Sequence, residues 1–245
     1  MPYFSDKWCL TFFREANNNL NGRLPDEIST LYSLKRVDLF ANSFTVAIPS
    51  GIANLTNLVL IDLEENILSG DALPTAILNL RSLVAYRASV NEFTGIIPTA
   101  INSLTKLEQL WLADNGIEGM IPSELAVLSN LESIFLYSNK LVGALPSELG
   151  LLSNLEDLRV FGNFLQETIP THLFAATNLM SLRLEFNFFS GEIPSLIGNL
   201  VNLEDFRIDT NSLFGTLPTE IGLLTSLGEC LCGMLRRILH IHPYP

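Results

Sequence analysis

Apolar residues in this chain follow a fixed order that is repeated many times. In "LEQLWLADNGIEGMIPSELAVLSN", residues 107–130, Leu107, Leu110 and Leu112 precede Asn115, and Pro122 follows seven residues later. The order returns at Asn18, Asn42, Asn66, Asn91, Asn139, Asn163, Asn187 and Asn211, with prolines at Pro25, Pro49, Pro74, Pro98, Pro146, Pro170, Pro194 and Pro218. The proline interval is 24 residues, except for the 25 between Pro49 and Pro74, where "SGDALP" adds one residue and reads as a local bulge.

Each stretch contains two periodicities. Ahead of the asparagine, apolar and other residues alternate at period two, which predicts a short strand with one face inward. After the proline the apolar positions come three apart, as at Pro122, Leu125, Leu128 and Leu131, which predicts a 3-10 or irregular turn on the opposite side. The proline presets φ where that turn begins. A single coil of this kind has no core of its own, so the coils must stack and share a column of leucines. The column asparagines (Asn42, Asn66, Asn91, Asn115, Asn139, Asn163, Asn187, Asn211) sit where the chain leaves the strand and its backbone groups lose their ladder. A carboxamide offers both donor and acceptor there, so these residues are expected to bridge coil to coil. Gly22, Gly70, Gly95, Gly119, Gly143, Gly191 and Gly215 mark the turn after the strand, where positive φ or a tight approach is expected. Val46 and Glu167 replace that glycine, and the second strand is expected to weaken at both.

The consensus L-x-x-L-x-L-x-x-N, as in Leu131, Ile134, Leu136 and Asn139 or Leu179, Leu182, Leu184 and Asn187, with the tail L-x-G-x-I/L-P of "LVGALPSEL", resembles the plant-type leucine-rich repeat. The resemblance covers residues 10–227. It implies an α/β solenoid, a right-handed arc with a parallel concave sheet and 3-10 or irregular convex segments. It also implies a recognition module that binds a protein, peptide or cell-wall glycan, like the ectodomains of receptor kinases, receptor-like proteins and polygalacturonase-inhibiting proteins. The alternative is an intracellular scaffold docking a protein partner. Three regions result: residues 1–9 as a degenerate cap remnant, 10–227 as a solenoid of about nine repeats, and 228–245 as an irregular tail or partial cap. Trp8-Cys9 faintly resembles part of a cap, but the partner cysteine is missing.

The strand residues between the leucines point outward, and they differ from coil to coil. One column reads Arg14, Asp38, Asp62, Arg87, Trp111, Phe135, Arg159, Arg183, Arg207. The column two residues on reads Ala16, Phe40, Glu64, Ser89, Ala113, Tyr137, Phe161, Glu185, Asp209. Trp111, Phe135, Tyr137, Phe161 and Phe186 are therefore expected to form one aromatic patch, with Arg159, Arg183 and Arg207 as a ladder beside it. Exposed aromatics with arginines match the composition of binding hot spots. The competing structural reading is that the rings shield the sheet and nearby acids neutralise the arginines. Asp62, Glu64 and Glu65 read as a solvated acidic face.

Charge and composition narrow the chemistry. A formal net charge of −12 argues against a nucleic-acid phosphate track. There is no apolar run long enough to cross a membrane, and Asp6 and Lys7 interrupt any export signal in the first residues. Localisation is expected to be extracellular or cell-surface if further sequence precedes this chain, and cytoplasmic if it is complete. No nucleophile elbow, phosphate loop or metalloprotease motif is present, and an open, wet face is expected to leave carboxyl pKa values unraised, so no enzyme, cofactor or metal is expected. Cys230 and Cys232 with His240 and His242 make at best a weak metal pattern. The sole glycosylation sequon is Asn54-Leu55-Thr56, on the convex segment.

Overall fold

The computed structural model describes residues 10–228. The expected cap remnant and all but the first residue of the expected tail, with Cys230, Cys232, His240 and His242, lie outside them. Nine short strands, from Phe12–Arg14 to Asp205–Arg207, hydrogen-bond in chain order in one parallel sheet. Coils are numbered here by their asparagines, from Asn18 in coil 1 to Asn211 in coil 9. Across this sheet Arg14 pairs with Asp38, Asp38 with Asp62, Asp62 with Arg87, Arg87 with Trp111, Trp111 with Phe135, and so on to Arg207. The outward columns read from the sequence are thus neighbours in space.

Behind the sheet the coils share one continuous core. In coil 5, Leu107, Leu110 and Leu112 are fully buried, as are Leu131 and Leu136 in coil 6. Five-residue 3-10 segments follow the prolines, for example Ser123–Val127 after Pro122. The one-residue insertion is absorbed locally: the segment after Pro74 is α-helical, Thr75–Leu78, and the concave register on either side is unbroken.

The asparagines form the coil-to-coil bridge their chemistry predicts. Asn139 Nδ2 donates to Leu112 O in the preceding coil at 2.9 Å and to Leu136 O and Tyr137 O in its own at 3.1 and 3.2 Å. Its Oδ1 accepts Ile117 N–H at 3.0 Å. The same set recurs at Asn66, Asn163 and Asn187. The residue before each column asparagine is left-handed in every coil: Asn17, Ala41, Glu65, Val90, Asp114, Ser138, Phe186 and Thr210, with glycine only at Gly162. The strain continues the ladder through the turn, since Ser138 N–H still reaches Phe161 O at 2.9 Å.

A second, lateral set of strands follows the asparagines, in groups of four and five. The expectation that Val46 and Glu167 weaken it is overturned. Both adopt the glycine-like conformation, with φ 70°, and the strand at Phe164–Thr168 is among the longest of the set. Glu167 pairs with Phe189 in register. Ladder bonds on both sides outweigh the cost of one left-handed side chain, about 1–2 kcal/mol. The lateral ladder instead thins between coils 4 and 5, where a single bridge, Ile96 to Glu118, joins the two groups.

Candidate functional site

The open concave face is where coils differ, and two physical facts place its side chains. Period-two alternation turns them away from the leucines, and parallel stacking brings equal positions of successive coils to about 4.8 Å. Trp111 is half-exposed and stacks on Phe135, with ring centroids 4.9 Å apart and an interplanar angle of 17°. Its Nε1 donates to Ser133 Oγ at 2.8 Å, which ties the ring to the neighbouring strand. Phe135 leans towards Tyr137 at 6.4 Å and 46°, and Tyr137 stacks on Phe161 at 4.4 Å and 4°. Four of the five expected aromatics are therefore one layer. Phe186 stands apart from it. Left-handed at φ 54° and 56% exposed, it points off the strand and stacks on none of the others.

The arginines interleave with the rings instead of standing beside them. Arg159 lies 4.7 Å from the Phe135 centroid and Arg183 4.0 Å from that of Phe161. Arg87, in register with Trp111, lies 4.2 Å from its ring. Each arginine also holds an acid. Arg159 grips both oxygens of Asp157 at 2.9 and 2.6 Å, Arg207 holds Asp205 at 2.9 Å, and Arg183 closes on Glu185. The partners alternate between the residue two before the arginine and the residue two after it. Pairing with Asp157 raises the Arg159 pKa. Burial, then the charge of Asp114, raises that of Tyr137.

The acidic end departs from expectation. Asp62 is buried, 6% exposed, and pairs with Arg87 at 3.3 Å, and Glu64 is half-buried, so of the three acids only Glu65 is solvated as expected. Burial, then the neighbouring charge of Asp62, pushes Glu64 up to about 7, against partial relief from Ser89 and Arg87. Burial also raises Asp62. An open face was expected to leave carboxyls unraised, and stacked side chains from adjoining coils shield this pair from water. Sequence reasoning placed Arg87 in its column but not in the site. The signal was its adjacency to Trp111. Gln109, which fixes Arg87 through bonds of 3.0 and 2.6 Å, gave none.

Asn54 is exposed on the convex side, clear of this layer. Among the described residues there is no group of three or more His, Cys, Asp or Glu that could hold a metal, and no helix long and apolar enough to cross a membrane.

A leucine-rich repeat family profile matches residues 106–128 and 178–200. No curated protein matches the chain. Among solved structures, the plant peptide hormone receptor RGFR1 in complex with RGF2 is 35% identical over 89% of this chain, with a TM-score of 0.87. A TDR receptor is 33% identical over 89%, with a TM-score of 0.86. The Arabidopsis receptor kinase HAESA, in complex with the peptide hormone IDA and the co-receptor SERK1, is 30% identical over 89%, with a TM-score of 0.85. The chain spans 35%, 37% and 36% of those three proteins, little more than a third of their length.

Proposed function

From the premise that this chain is a plant-type leucine-rich repeat protein, we propose that it is a non-catalytic, extracellular recognition module that binds an extended polypeptide across the concave face of coils 4 to 8. Its structural relatives include a plant peptide hormone receptor and a receptor kinase in complex with a peptide hormone. The observation that carries the reading for this chain is the layer formed by Arg87, Trp111, Phe135 and Arg159, with Tyr137, Phe161 and Arg183 alongside.

The way the layer is built favours a polypeptide over a glycan. A sugar ring stacks flat on a free aromatic face. Here the faces are taken: Trp111 lies between Arg87 and Phe135, Phe135 between Trp111 and Arg159, and Phe161 between Tyr137 and Arg183. The remaining face of Tyr137 looks along its column to Ala113, which is fully buried. What is left to a ligand is that one face of Tyr137 and the row of ring edges, which carry the positive part of the aromatic quadrupole. Ring edges suit backbone carbonyls and aliphatic side chains.

The double variant Trp111→Ala, Phe135→Ala tests the proposal in a pull-down from plant extracellular extract. It is expected to fold, because both rings stand outside the leucine core, and to lose partner affinity by at least about 30-fold, as two central hot-spot residues should. Full capture by the folded variant would move the site off this face.

A further inference from the structure

One three-part arrangement occurs twice on the concave face, complete in one place and lacking a member in the other. At coils 7 and 8, Phe161 and Glu185 hold the same column, each two residues before its asparagine. Arg183, two residues before Glu185, lies 4.0 Å from the Phe161 ring centroid and donates through Nε to Glu185 Oε1 at 2.9 Å. Ring, guanidinium and carboxylate form a closed set. At coils 2 and 3 the equivalent positions are Phe40 and Glu64, so the ring and the carboxylate are present again. The position equivalent to Arg183 is Asp62, a second carboxylate.

Among the described residues no cation stacks on Phe40 or forms an ion pair with Glu64, and Arg14, in register with Asp38, lies against Phe12 instead. Arg87 is committed to Asp62 at 3.3 Å, to Gln109 at 2.6 and 3.0 Å and to the Trp111 ring at 4.2 Å. Arg36 is committed to Asp38 at 3.2 Å. Half-buried Glu64 has Ser89 and, at longer range, Arg87 for relief, but no ion pair. Half-buried Phe40 has neither a ring nor a cation on its faces, unlike the four rings of the main layer.

We propose that the ligand completes this set: an arginine side chain of the bound polypeptide lies on Phe40 and pairs with Glu64, beside the charge of Asp62, as Arg183 lies on Phe161 and pairs with Glu185. This rests on the concave-face reading above and adds a residue type, a place and a direction to it. The site is about 12 Å along the sheet from Trp111 at about 4.8 Å per coil. An extended chain at about 3.3 Å per residue covers that in three to four residues. The ligand therefore carries an arginine three or four positions from the apolar residue that meets Trp111. The match is charge-complementary: Glu64, which has no ion pair among the described residues, receives a planar cation that also stacks on the ring, and Asp62, held by Arg87 and by the Glu64 amide, adds its negative charge beside it.

Acidity gives the proposal a second readout. Burial, then the charges of Asp62 and Glu65, holds free Glu64 up at about 7 against relief from Ser89 and Arg87, with Asp38 acting on Asp62. A bound guanidinium favours the ionised form, so affinity should rise as pH climbs through 7 and fall below it.

The test selects a random twelve-residue peptide library on the intact wild-type chain, on Glu64→Gln and on Asp62→Arg. Wild type is expected to enrich arginine at a fixed spacing from an apolar residue. Glu64→Gln should retain the apolar preference, weaken selected peptides at least tenfold at pH 8 and lose the pH dependence. Asp62→Arg, which places a guanidinium in the vacant position from within, should remove the arginine preference. Apolar enrichment without arginine, or arginine enrichment unchanged in Glu64→Gln, would overturn this inference and leave concave-face recognition standing. No enrichment of any peptide on folded wild type would overturn both.

Discussion

Replacing Asn139 with alanine isolates the cost of a single buried hydrogen-bond donor. The side chain is 7% exposed and makes four bonds, yet most of its partners have a second one. Leu112 O keeps Asn115 Nδ2 at 3.2 Å, Leu136 O keeps Asn163 Nδ2 at 2.9 Å, and Tyr137 O keeps Asp114 N–H at 2.9 Å. Ile117 N–H has only Asn139 Oδ1, at 3.0 Å, and Ile117 is fully buried. One orphaned buried amide costs about 1–3 kcal/mol. For a domain of this size, about 2 kcal/mol corresponds to a fall in Tm of roughly 4–8 °C. Urea unfolding followed by far-UV circular dichroism measures the loss, and hydrogen exchange locates it, with the Ile117 amide losing protection before its neighbours. Asn18→Ala is the control, because its bonds to Glu15 O and Ala16 O are at the surface and water replaces them. A loss below about 0.5 kcal/mol at Asn139, or an equal loss at Asn18, would refute the argument that the bridge works by satisfying buried backbone.

Other substitutions probe different parts of the coil. Gly150→Ala sets a Cβ 1.8 Å from His172 O on the next convex segment, so the two coils must separate; a loss of about 3 kcal/mol is expected in the same urea assay. Gly222→Ala meets nothing within 4 Å and should change stability by less than about 0.5 kcal/mol. Glu64, at about 7 against its ordinary 4.5, binds a proton in the folded state that the unfolded chain has lost, so its contribution to stability declines as pH rises from about 4.5 to 7. Glu64→Gln should flatten that decline and stabilise the protein at pH 8 by about 1 kcal/mol, discounted for solvent screening, as urea midpoints at pH 5 and 8 would show. Arg183→Glu strands Glu185, 2% exposed, beside a like charge and should destabilise by about 3–5 kcal/mol, which disqualifies it as a binding probe. Arg207→Gln, at a side chain 41% exposed in coil 9, outside the proposed site, should leave both the melting curve and peptide affinity nearly unchanged.

The concave face joins two kinds of surface. From coil 4 onward it is self-completed, since rings and guanidinium groups cover one another and acids close the arginines. Such a layer is rigid before a ligand arrives, so less ordering is required on binding. At coils 2 and 3 the face is incomplete in charge. The first kind of surface supplies shape, and the second supplies a requirement for a particular residue.

The sequence alone determined the coil, the parallel register and the asparagine bridge, because each depends on a residue's place within a 24-residue period that every coil shares. It also determined which side chains face outward, since strand alternation is local geometry. Only the tertiary structure decided which acid each arginine holds, that Arg87 caps Trp111, that Phe186 stands apart, and that Asp62 is buried. It alone showed that Val46 and Glu167 take up the glycine conformation without loss of the ladder. These outcomes depend on contacts between side chains about one period apart and on which of two near acids a guanidinium reaches first. A repeat fixes the positions of those groups, but it does not fix the directions in which they turn.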